Sequence, residues 1–419
     1  MNTNSFRISL ISCAALLLLS GFAASALADS GTSQANAPVG GTAGNDPTIS
    51  FHGFIDSSFF WQDQNFSFGN GQNAEIPLPN TGSKDNLSGG DVRNTRFWID
   101  FAGPTLSNGW TAGGHIEADF FGGFNGTTAF SGQQPNPRLR QAFISLKNTT
   151  GGTLTIGQQW DLLFPIDNFT ESFTHIAFPL GLGDGMIGWR YPGVTWFQNL
   201  GQPAPGTPQW RLDLGVFEGN WSGPGSTINF QTAGNVNFQP QIEARLHVQD
   251  KDWLAYIVGH YSREDLSGVG GNAPTPIASS ITSYAIEAGL GLHPGPWVLH
   301  AGVYTGKGLG QVFGALVQFG DIKEVGGYAQ GGYKFNPNWG LYATYATDRP
   351  NAGDVITWLK NGSSGLLRGQ QMALDLLYTN GPYGLGFEYL HAITRSTTTG
   401  LDRTTTVGNQ LSVSAIYHF

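Results

Sequence analysis

The stretch WTAGGHIEADF at residues 110–120 decides the fold, because its side chains alternate strictly between two kinds. One alternate set is apolar or small, whereas the other contains His115, Glu117 and Asp119. Successive side chains of a β-strand point to opposite faces of the sheet, so this strand has one face for lipid and one for water. We therefore expect the wall of a transmembrane barrel, with His115, Glu117 and Asp119 lining an aqueous lumen.

The same alternation recurs along the rest of the chain. In two further stretches the polar face carries first Arg211 and Asp213, then Glu243 and Arg245. These four side chains are predicted to line the pore, while their apolar neighbours face lipid. A soluble β-sandwich can also alternate, but its polar face would carry more charge. The clearest stretches are 95–101, 110–120, 209–218, 240–248, 283–292, 371–378, 383–389 and 410–419.

The lengths of the connections decide between these two folds. Short turns alternate with long polar stretches, which is the arrangement of outer-membrane barrels with periplasmic turns and external loops. Eight long and seven short connections predict an all-β antiparallel barrel of about sixteen strands. Six turns are short: 104–109, 148–152, 249–252, 293–296, 336–338 and 380–382. The seventh, 199–208, is intermediate in length and falls where a short turn is due. The long loops are 62–91, 121–136, 161–188, 219–239, 263–281, 305–323, 347–367 and 393–408.

The composition fits a barrel that faces lipid on its outer side. Charged residues make up 12% of the chain, against about 25% in soluble domains, and glycine contributes 61 of 419 residues. No segment after residue 28 offers the run of roughly 18 apolar residues that a transmembrane helix needs. A closed barrel is then the structure that satisfies every backbone hydrogen bond within a membrane.

The amino-terminal region has the features of a targeting signal followed by a linker. Residues 1–28 combine Arg7, an apolar run and a small-residue cleavage site, so we expect a secretory signal peptide. Residues 29–48 are small and polar and predict a flexible periplasmic arm, after which the pore domain spans 49–419. The single cysteine, Cys13, lies in the signal; a lipid anchor there is the alternative, but it would leave almost no apolar core before the cut.

Charge and motifs exclude several other classes of function. Removal of Arg7 with the signal changes the formal net charge from −9 to −10, and an acidic chain lacks the electrostatic footprint of a nucleic-acid-binding protein. No G-x-S-x-G or H-E-x-x-H motif occurs, so no catalytic residue, metal ligand or cofactor is predicted, and an enzyme is not expected. The alternatives left open are a substrate-specific channel, for example for a sugar, a gated channel, and a structural or adhesive barrel.

Aromatic residues mark one membrane interface and the end of the chain. Tyr417 and Phe419 close an outward alternating stripe, and this ending is similar to the recognition signal of the outer-membrane barrel assembly machinery. Six aromatic residues follow short turns and are predicted to form a periplasmic girdle. They are Trp110, Trp210, Trp253, Trp297, Trp339 and Tyr383.

A barrel of about sixteen strands encloses an open lumen unless something fills it. Loop 161–188 is more apolar than the other external loops, which predicts that it folds into the lumen and narrows it. Acids on this loop would then face arginines on the wall, and a transverse field would set the selectivity. The simpler interpretation is that some of these charges are solvated or anchor loops. The predicted constriction residues are Asp161, Asp167, Glu171 and Asp184 on the loop and Arg93, Arg96, Arg138, Arg140 and Arg190 on the wall.

The fourth strand leaves one ambiguity. Arg138 and Arg140 share the parity of Ile144 and Leu146, which should face lipid. Either a β-bulge shifts the parity between them, or the two arginines lie above the membrane.

Four motifs between residues 94 and 164 carry a family resemblance. They are NTRFWIDFAG (94–103), GGHIEADFFGG (113–123), PRLRQAFISLKN (137–148) and TLTIGQQWDLLF (153–164). In this order they resemble the early strands of the DcaP-like trimeric porins, within the outer-membrane porin superfamily.

This resemblance implies a sixteen-stranded homotrimer, surrounded by outer-membrane lipid, that passes small anionic solutes such as dicarboxylates. It also implies that Arg96, Arg138 and Arg140 lie towards the pore. The residues after Trp160 would form the constriction.

Overall fold

The strands predicted from alternation form one antiparallel sheet in the computed structural model. The structure describes residues 47–78, 86–124, 134–201, 206–219, 239–266 and 276–419. The predicted signal peptide and nearly all of the predicted arm lie outside these residues. The strands are β1 Thr48–Gln62, β2 Leu87–Asp91, β3 Arg96–Thr105, β4 Thr111–Asp119, β5 Arg138–Lys147, β6 Gly152–Trp160, β7 Arg190–Leu200, β8 Gln209–Phe217, β9 Gln241–Gln249, β10 Trp253–Asp265, β11 Ser280–Leu292, β12 Trp297–Lys307, β13 Lys323–Lys334, β14 Trp339–Pro350, β15 Leu366–Asn380, β16 Tyr383–Ser396 and β17 Thr404–His418.

The first strand closes the sheet into a barrel. One edge of β1 pairs with β17. Its other edge pairs with β2 through residues 58–62 and with β3 through residues 48–54. Because β2 and β3 are one wall strand interrupted at 92–95, the seventeen segments make sixteen wall strands. The predicted sixteen-stranded antiparallel barrel is confirmed.

The two faces of the wall have the composition that the alternation predicted. Along β10, Ile257 and Tyr261 on the outer face are 47% and 52% exposed, whereas Val258 and His260 on the inner face are 1% and 4% exposed. Apolar side chains on the outer face suit hydrocarbon, and the closed ladder leaves no strand edge unpaired within the membrane.

Aromatic rings pair along the end of the barrel where the short turns lie. Trp339 at the start of β14 packs on Tyr378 at the end of β15, with ring centroids 4.9 Å apart. Tyr383 and Tyr417 make the corresponding pair on β16 and β17 at 4.8 Å. Amphipathic rings at one depth form the girdle of a membrane interface, as the residues after short turns predict.

Among the described residues, helical structure is confined to the long connections. Helix α1, Ala352–Thr357, is capped by Asn351, whose side chain accepts hydrogen bonds from the backbone N–H groups of Gly353 and Asp354. Two 3₁₀ turns, Gly310–Val312 and Ala315–Val317, lie between β12 and β13. In the part of the chain that the structure describes, no helix is both long and apolar enough to cross a membrane.

Candidate pore constriction

Loop 3, residues 161–189 between β6 and β7, folds into the lumen. Its leucines are removed from water: Leu163, Leu180 and Leu182 are fully buried. Burying one such side chain contributes roughly 1.5–3 kcal/mol, so the loop gains a core that an external loop would lack. The inward-folded loop expected from its apolar composition is therefore present.

Asp161 closes the neck of loop 3. Its carboxylate accepts hydrogen bonds from the backbone N–H groups of Phe164 at 3.0 Å and Trp189 at 3.1 Å. Burial, followed by the nearby Glu243 carboxylate, raises the pKa of Asp161 well above its ordinary value. Asp161 therefore fixes the loop and does not face the channel water.

From its neck, loop 3 runs along the far wall of the barrel. The Asn168 side chain donates to the carbonyl of Ala301 on β12 at 2.8 Å, and the Tyr328 hydroxyl donates to the carbonyl of Asn168 at 2.6 Å. The backbone N–H of Glu171 then donates to the side chain of Gln330 at 2.7 Å. These bonds hold the first half of the loop against β12 and β13.

The second half of loop 3 is held by β16 and by loop 1, residues 63–78. The Ser172 hydroxyl donates to one carboxylate oxygen of Glu388 at 2.5 Å, and Nδ1 of His175 lies 2.7 Å from the other oxygen. Nε2 of His175 lies 3.1 Å from the carbonyl of Ala74 in loop 1. One buried imidazole thus joins the constriction loop, the wall and a second loop.

The wall beneath loop 3 carries carboxylates without matching cations. On β10–β16, which the structure describes in full, no arginine or lysine side chain is buried, yet every strand except β12 contributes a buried carboxylate. A carboxylate only accepts hydrogen bonds, which suits backbone N–H groups that lack a partner within their own loop. Leu316 donates in this way to Asp348 at 2.8 Å, and Ala315 donates to Glu324. We call this surface the acidic wall; its buried carboxylates are Glu264, Glu287, Glu324, Asp348, Asp375 and Glu388.

The opposite side of the lumen, β3–β9, carries the arginines. Arg140 pairs with both Glu117 and Asp119, the latter at 2.8 Å. Arg138 pairs with the same Asp119 at 2.6 Å, and Arg96 lies 3.8 Å from Glu117. The buried carboxylates of Glu117 and Asp119 each accept hydrogen bonds from several donors. An ion pair away from water is stable only when its remaining hydrogen-bonding groups are satisfied in this way. We call this surface the arginine wall; its arginines are Arg96, Arg138, Arg140, Arg190, Arg211 and Arg245.

A β-bulge in β5 brings Arg138 and Arg140 onto the lumen face. Glu117 of β4 pairs with Gln141, whereas the following residue of β4 pairs with Leu139, so Arg140 is the extra residue. Arg140 and Gln141 are consequently both buried, while Leu139 is 52% exposed on the outside. The structure takes the first of the two alternatives that the sequence left open.

The arginines differ in how far they reach the channel water. The side chains of Arg138, Arg93 and Arg211 keep 22%, 16% and 13% of their surface exposed, whereas those of Arg96 and Arg140 keep 1%. Each of the three exposed arginines is paired with an aspartate that is less exposed than itself. The end of each ion pair that a solute can reach is therefore the cation.

The other two arginines of this wall serve loop 3. The guanidinium of Arg190 lies 4.2 Å from the ring centre of Trp189, a cation–π contact, and one of its terminal nitrogens is buried without a hydrogen-bond partner. Arg245 pairs with Asp213 at 2.8 Å and donates to the carbonyl of Leu162 at 3.3 Å. Arg190 is thus a positive charge that no described carboxylate matches within ion-pair distance.

The four acids predicted for loop 3 do not share one environment. Asp167 is exposed and Glu171 is partly exposed, so both reach the lumen. Asp184 is 1% exposed and lies so close to Gly369 of β15 that a Cβ there would collide with its carboxylate. Burial, with the acidic wall next to it, raises the pKa of Asp184 well above its ordinary value. Asp161 and Asp184 therefore lie behind the loop, and Asp167 and Glu171 lie in front of it.

The remaining side chains predicted to line the pore lie on the inner face of the wall. Nδ1 of His115 is 2.7 Å from the carboxylate of Asp100 on the adjacent strand. Asp213 is fully buried between its two arginines. Glu243 is 1% exposed and accepts from the backbone N–H of Leu162 at 2.6 Å, so it holds the start of loop 3.

Five aromatic rings from four loops meet inside the ring of strand ends. Trp189 of loop 3 stacks on Phe313 of loop 6, residues 308–322, with centroids 4.5 Å apart. Phe178 of loop 3 stacks on Phe68 of loop 1 at 5.8 Å and meets Phe121 of loop 2, residues 120–137, at 5.6 Å. We call these five residues the aromatic collar.

The collar borders the two most exposed arginines. The guanidinium of Arg138 lies 5.2 Å from the ring centre of Phe121 and 5.9 Å from that of Trp189. The guanidinium of Arg93 lies 4.7 Å from the ring of Phe121. Aromatic rings of the collar and exposed arginine side chains therefore lie side by side.

Sequence reasoning missed the inward course of loop 6. The loop was expected only as a long external loop, yet Leu309, Val312 and Leu316 are buried to 0%, 0% and 2% exposure. The same signal that marks loop 3, an apolar composition without a use in open water, is present in this loop. The acidic wall carried no such signal, because an isolated acid on an alternating strand does not reveal which loop will cover it.

Within the described residues, no group of three or more histidine, cysteine, aspartate or glutamate side chains could hold a metal ion. A sixteen-stranded transmembrane barrel, narrowed by an inward-folded loop and lined by charges, is the architecture of an outer-membrane channel for passive diffusion.

Residues 13–210 match the family model described as Gram-negative porin. This match covers just under half of the chain; together with the sixteen-stranded barrel, it indicates an outer-membrane channel of the porin type. The fold and the matching family model both point to a channel rather than an enzyme. A comparison with curated proteins found no match.

Solved outer-membrane proteins share the fold. The outer-membrane channel DcaP of Acinetobacter baumannii aligns over 89% of this chain and 97% of its own, with a TM-score of 0.66 and 17% identity. OmpT of Vibrio cholerae aligns over 91% and 99%, with a TM-score of 0.55 and 13% identity. OprB of Pseudomonas putida aligns over 88% and 94%, with a TM-score of 0.51 and 12% identity. At these identities the likeness concerns the fold.

Proposed function

We propose that the channel passes small hydrophilic solutes with a preference for anions, among them dicarboxylates. The observation that supports this proposal is the unequal exposure of the two kinds of charge. In three ion pairs the partner that is more exposed to the lumen is the arginine: Arg93, Arg138 and Arg211. The acidic wall, in contrast, lies beneath loops 3 and 6. The charges at the narrowest point set the electrostatic barrier, so the reachable cations favour anions.

Asp167 and Glu171 complete the proposed mechanism. They are exposed or partly exposed on the first half of loop 3, which is held against β12 and β13. Opposite charges on two sides of an opening create a transverse field, which orients a dipolar solute and leaves the arginines to pull an anion forward.

The proposal is tested by the reversal potential of single channels under a salt gradient, with the refolded full chain in a planar bilayer. Wild type should prefer anions, and Arg138→Gln should shift the potential towards cations, while Arg140 still pairs with Asp119 and keeps the wall intact. Arg263→Gln is the matched control, because Arg263 is exposed on the outer face of β10. Cation preference in wild type, or an unshifted potential in Arg138→Gln, would contradict the proposal.

The proposed permeation of dicarboxylates is tested by a separate measurement. In liposomes carrying the protein, succinate should permeate faster than a neutral solute of the same size. Equal rates would leave a passive channel that makes no use of solute charge.

We also propose that the protein assembles as a homotrimer in outer-membrane lipid, as the family resemblance implies. Current steps that appear in groups of three in the same bilayer recordings would support a trimer. Steps that always appear singly would contradict it.

A further proposal concerns the carboxy-terminal signal, Tyr417 and Phe419, and the barrel assembly machinery. The main chain of Phe419 exchanges two hydrogen bonds with Gly53, at 3.1 and 2.9 Å, and its ring stacks on Phe51 at 5.5 Å. The last residue thus extends the seam between β1 and β17. Phe419→Ser should lower the amount of assembled protein much more than the amount synthesised; unchanged assembled levels would contradict the signal.

A further inference from the structure

Loop 6 extends across the lumen to the opposite side of the barrel. It starts at the end of β12, yet the hydroxyl of Tyr191 on β7 donates to the carbonyl of Gln311, and the backbone N–H of Gly188 donates to the carbonyl of Val312 at 2.7 Å. β7 lies five strands away from β12 around the sheet. The loop therefore occupies part of the cross-section together with loop 3.

The backbone of loop 6 is strained where it reaches the collar. Phe313, Ala315, Leu316 and Val317 have φ angles of 67°, 51°, 55° and 59°. These are left-handed conformations, which glycine adopts readily and which are genuine outliers for a β-branched residue such as Val317. Such a run persists only where the surrounding structure imposes it.

Contacts with the wall and with the next loop impose this conformation. The carboxylates of Glu324 and Asp348 accept from the backbone N–H groups of Ala315 and Leu316. The side chain of Gln318 makes two hydrogen bonds to the start of β15. It donates to the carbonyl of Leu366 at 2.7 Å and accepts from the backbone N–H of Leu366 at 2.8 Å. The acidic wall thus holds the loop in a shape that its own sequence does not favour.

The strained conformation places one ring in the collar. Phe313 stacks on Trp189 at 4.5 Å and lies 5.5 Å from Phe68, and its side chain remains partly exposed. Phe319, six residues further along the same loop, packs away from the collar in a cluster that includes Ile322 and Trp358. Two phenylalanines of one loop therefore have different surroundings.

We propose that Phe313 determines the size limit of the pore and that loop 6 is a second, strained constriction element able to withdraw from the collar. The inference rests on the passive-channel function and is independent of the anion preference. Because the narrowest section dominates the resistance of a pore, removing this ring widens the path for every solute.

The first test compares conductances of the refolded full chain in a planar bilayer. Phe313→Ala should raise the single-channel conductance by roughly 1.5- to 2-fold and admit larger neutral solutes, because the constriction loses a ring. Phe313→Trp should lower the conductance. Phe319→Ala, the matched control, removes the same volume outside the collar and should leave conductance unchanged.

The outcomes separate this inference from the proposed anion preference. Phe313→Ala alters no charge, so the reversal potential should keep its wild-type sign, whereas Arg138→Gln shifts it towards cations. Unchanged conductance in both Phe313 variants would overturn the inference. An equal rise in Phe313→Ala and Phe319→Ala would overturn the role of the Phe313 ring, because displacement of the whole loop would explain it.

A second variant tests the strain. Val317→Gly permits the left-handed conformation without a steric penalty, so it should make brief excursions to higher conductance rarer than in wild type. Excursions as frequent as in wild type, or their absence from both proteins, would overturn the withdrawal of the loop.

Discussion

On the arginine wall each shared carboxylate holds two cations: Asp119 pairs with Arg138 and Arg140, and Asp213 pairs with Arg211 and Arg245. Within the described residues, the carboxylates of the acidic wall have no arginine or lysine as partner. Several of them accept hydrogen bonds from loop groups, as Glu388 does from Ser172. The first wall presents charge to the channel, whereas the second wall uses charge to attach loops.

This difference teaches why the number of acids in the lumen is a poor guide to selectivity. A buried carboxylate without a cation is costly unless hydrogen bonds or a proton neutralise it, and loops 3 and 6 supply the N–H and O–H donors. The acids that anchor loops are thereby removed from the path of the solute. A chain with a net charge of −9 can therefore present arginines at its opening.

Breaking an ion pair on the arginine wall should give the largest loss of barrel stability. Arg140→Met leaves Glu117 without its closest cation and Asp119 with one cation fewer, and the loss of one partner in a buried pair costs about 3–5 kcal/mol. The urea midpoint of the folded barrel, followed by heat-modifiable migration on a gel, should fall clearly. The matched change on the acidic wall is Asp375→Asn.

Asp375 is fully buried beside the carboxylate of Glu388, and among the described residues no amide, hydroxyl or cationic group donates to either of its oxygens. An isosteric neutral side chain should therefore leave the urea midpoint unchanged or raise it, because an amide is less costly to bury than a charge. If Arg140→Met and Asp375→Asn shift the midpoint alike, the contrast between the two walls is wrong.

A smaller loss of stability, limited to loop 3, is expected when a contact between this loop and the acidic wall is removed. His175→Ala leaves the buried Glu388 without its imidazole partner. The free energy that holds loop 3 against the wall should then fall by roughly 1–3 kcal/mol. Loop 3 should then be cut faster by added protease while the barrel stays folded. His391→Ala is the control, since His391 sits on the outer face of β16 and bonds Asn409 instead; equal cleavage of both variants would refute the anchoring role.

The smallest expected effect is a dependence on pH of how tightly loop 3 is attached to the acidic wall. Burial raises the pKa of Glu75 and of Asp184 well above their ordinary values; the Asp184 carboxylate adds to the shift of Glu75, and the Asp348 carboxylate adds to the shift of Asp184. A raised folded-state pKa means that the protonated form stabilises the packed loops. This contribution is complete below about pH 4 and is lost as the pH rises through the raised pKa.

Hydrogen exchange in loop 3 should accordingly be slower near about pH 5 than near about pH 8, after correction for the intrinsic pH dependence of exchange. Asp184→Asn should weaken this dependence, because one of the two titrating groups is gone. A profile identical to that of wild type would show that Asp184 does not contribute.

Much of the fold and part of the site could be predicted from local patterns. Alternation placed Glu117 and Asp119 on the lumen face, and the apolar composition of loop 3 predicted its inward course. The same patterns could not separate Asp167, which reaches the lumen, from Asp184, which lies behind the loop. Both are loop acids, and only the position of the acidic wall distinguishes them.

The sequence by itself determined a closed barrel of sixteen strands, its short and long connections and the identity of its inner face, because a membrane allows only a fully paired wall with alternating side chains. Only the tertiary structure decided which charges a solute can meet. The bulge at Arg140, the pairing of Asp119 with two arginines and the placing of Phe313 in the collar all depend on segments far apart in the chain. Burial and pairing across the lumen, and not residue type, set their roles.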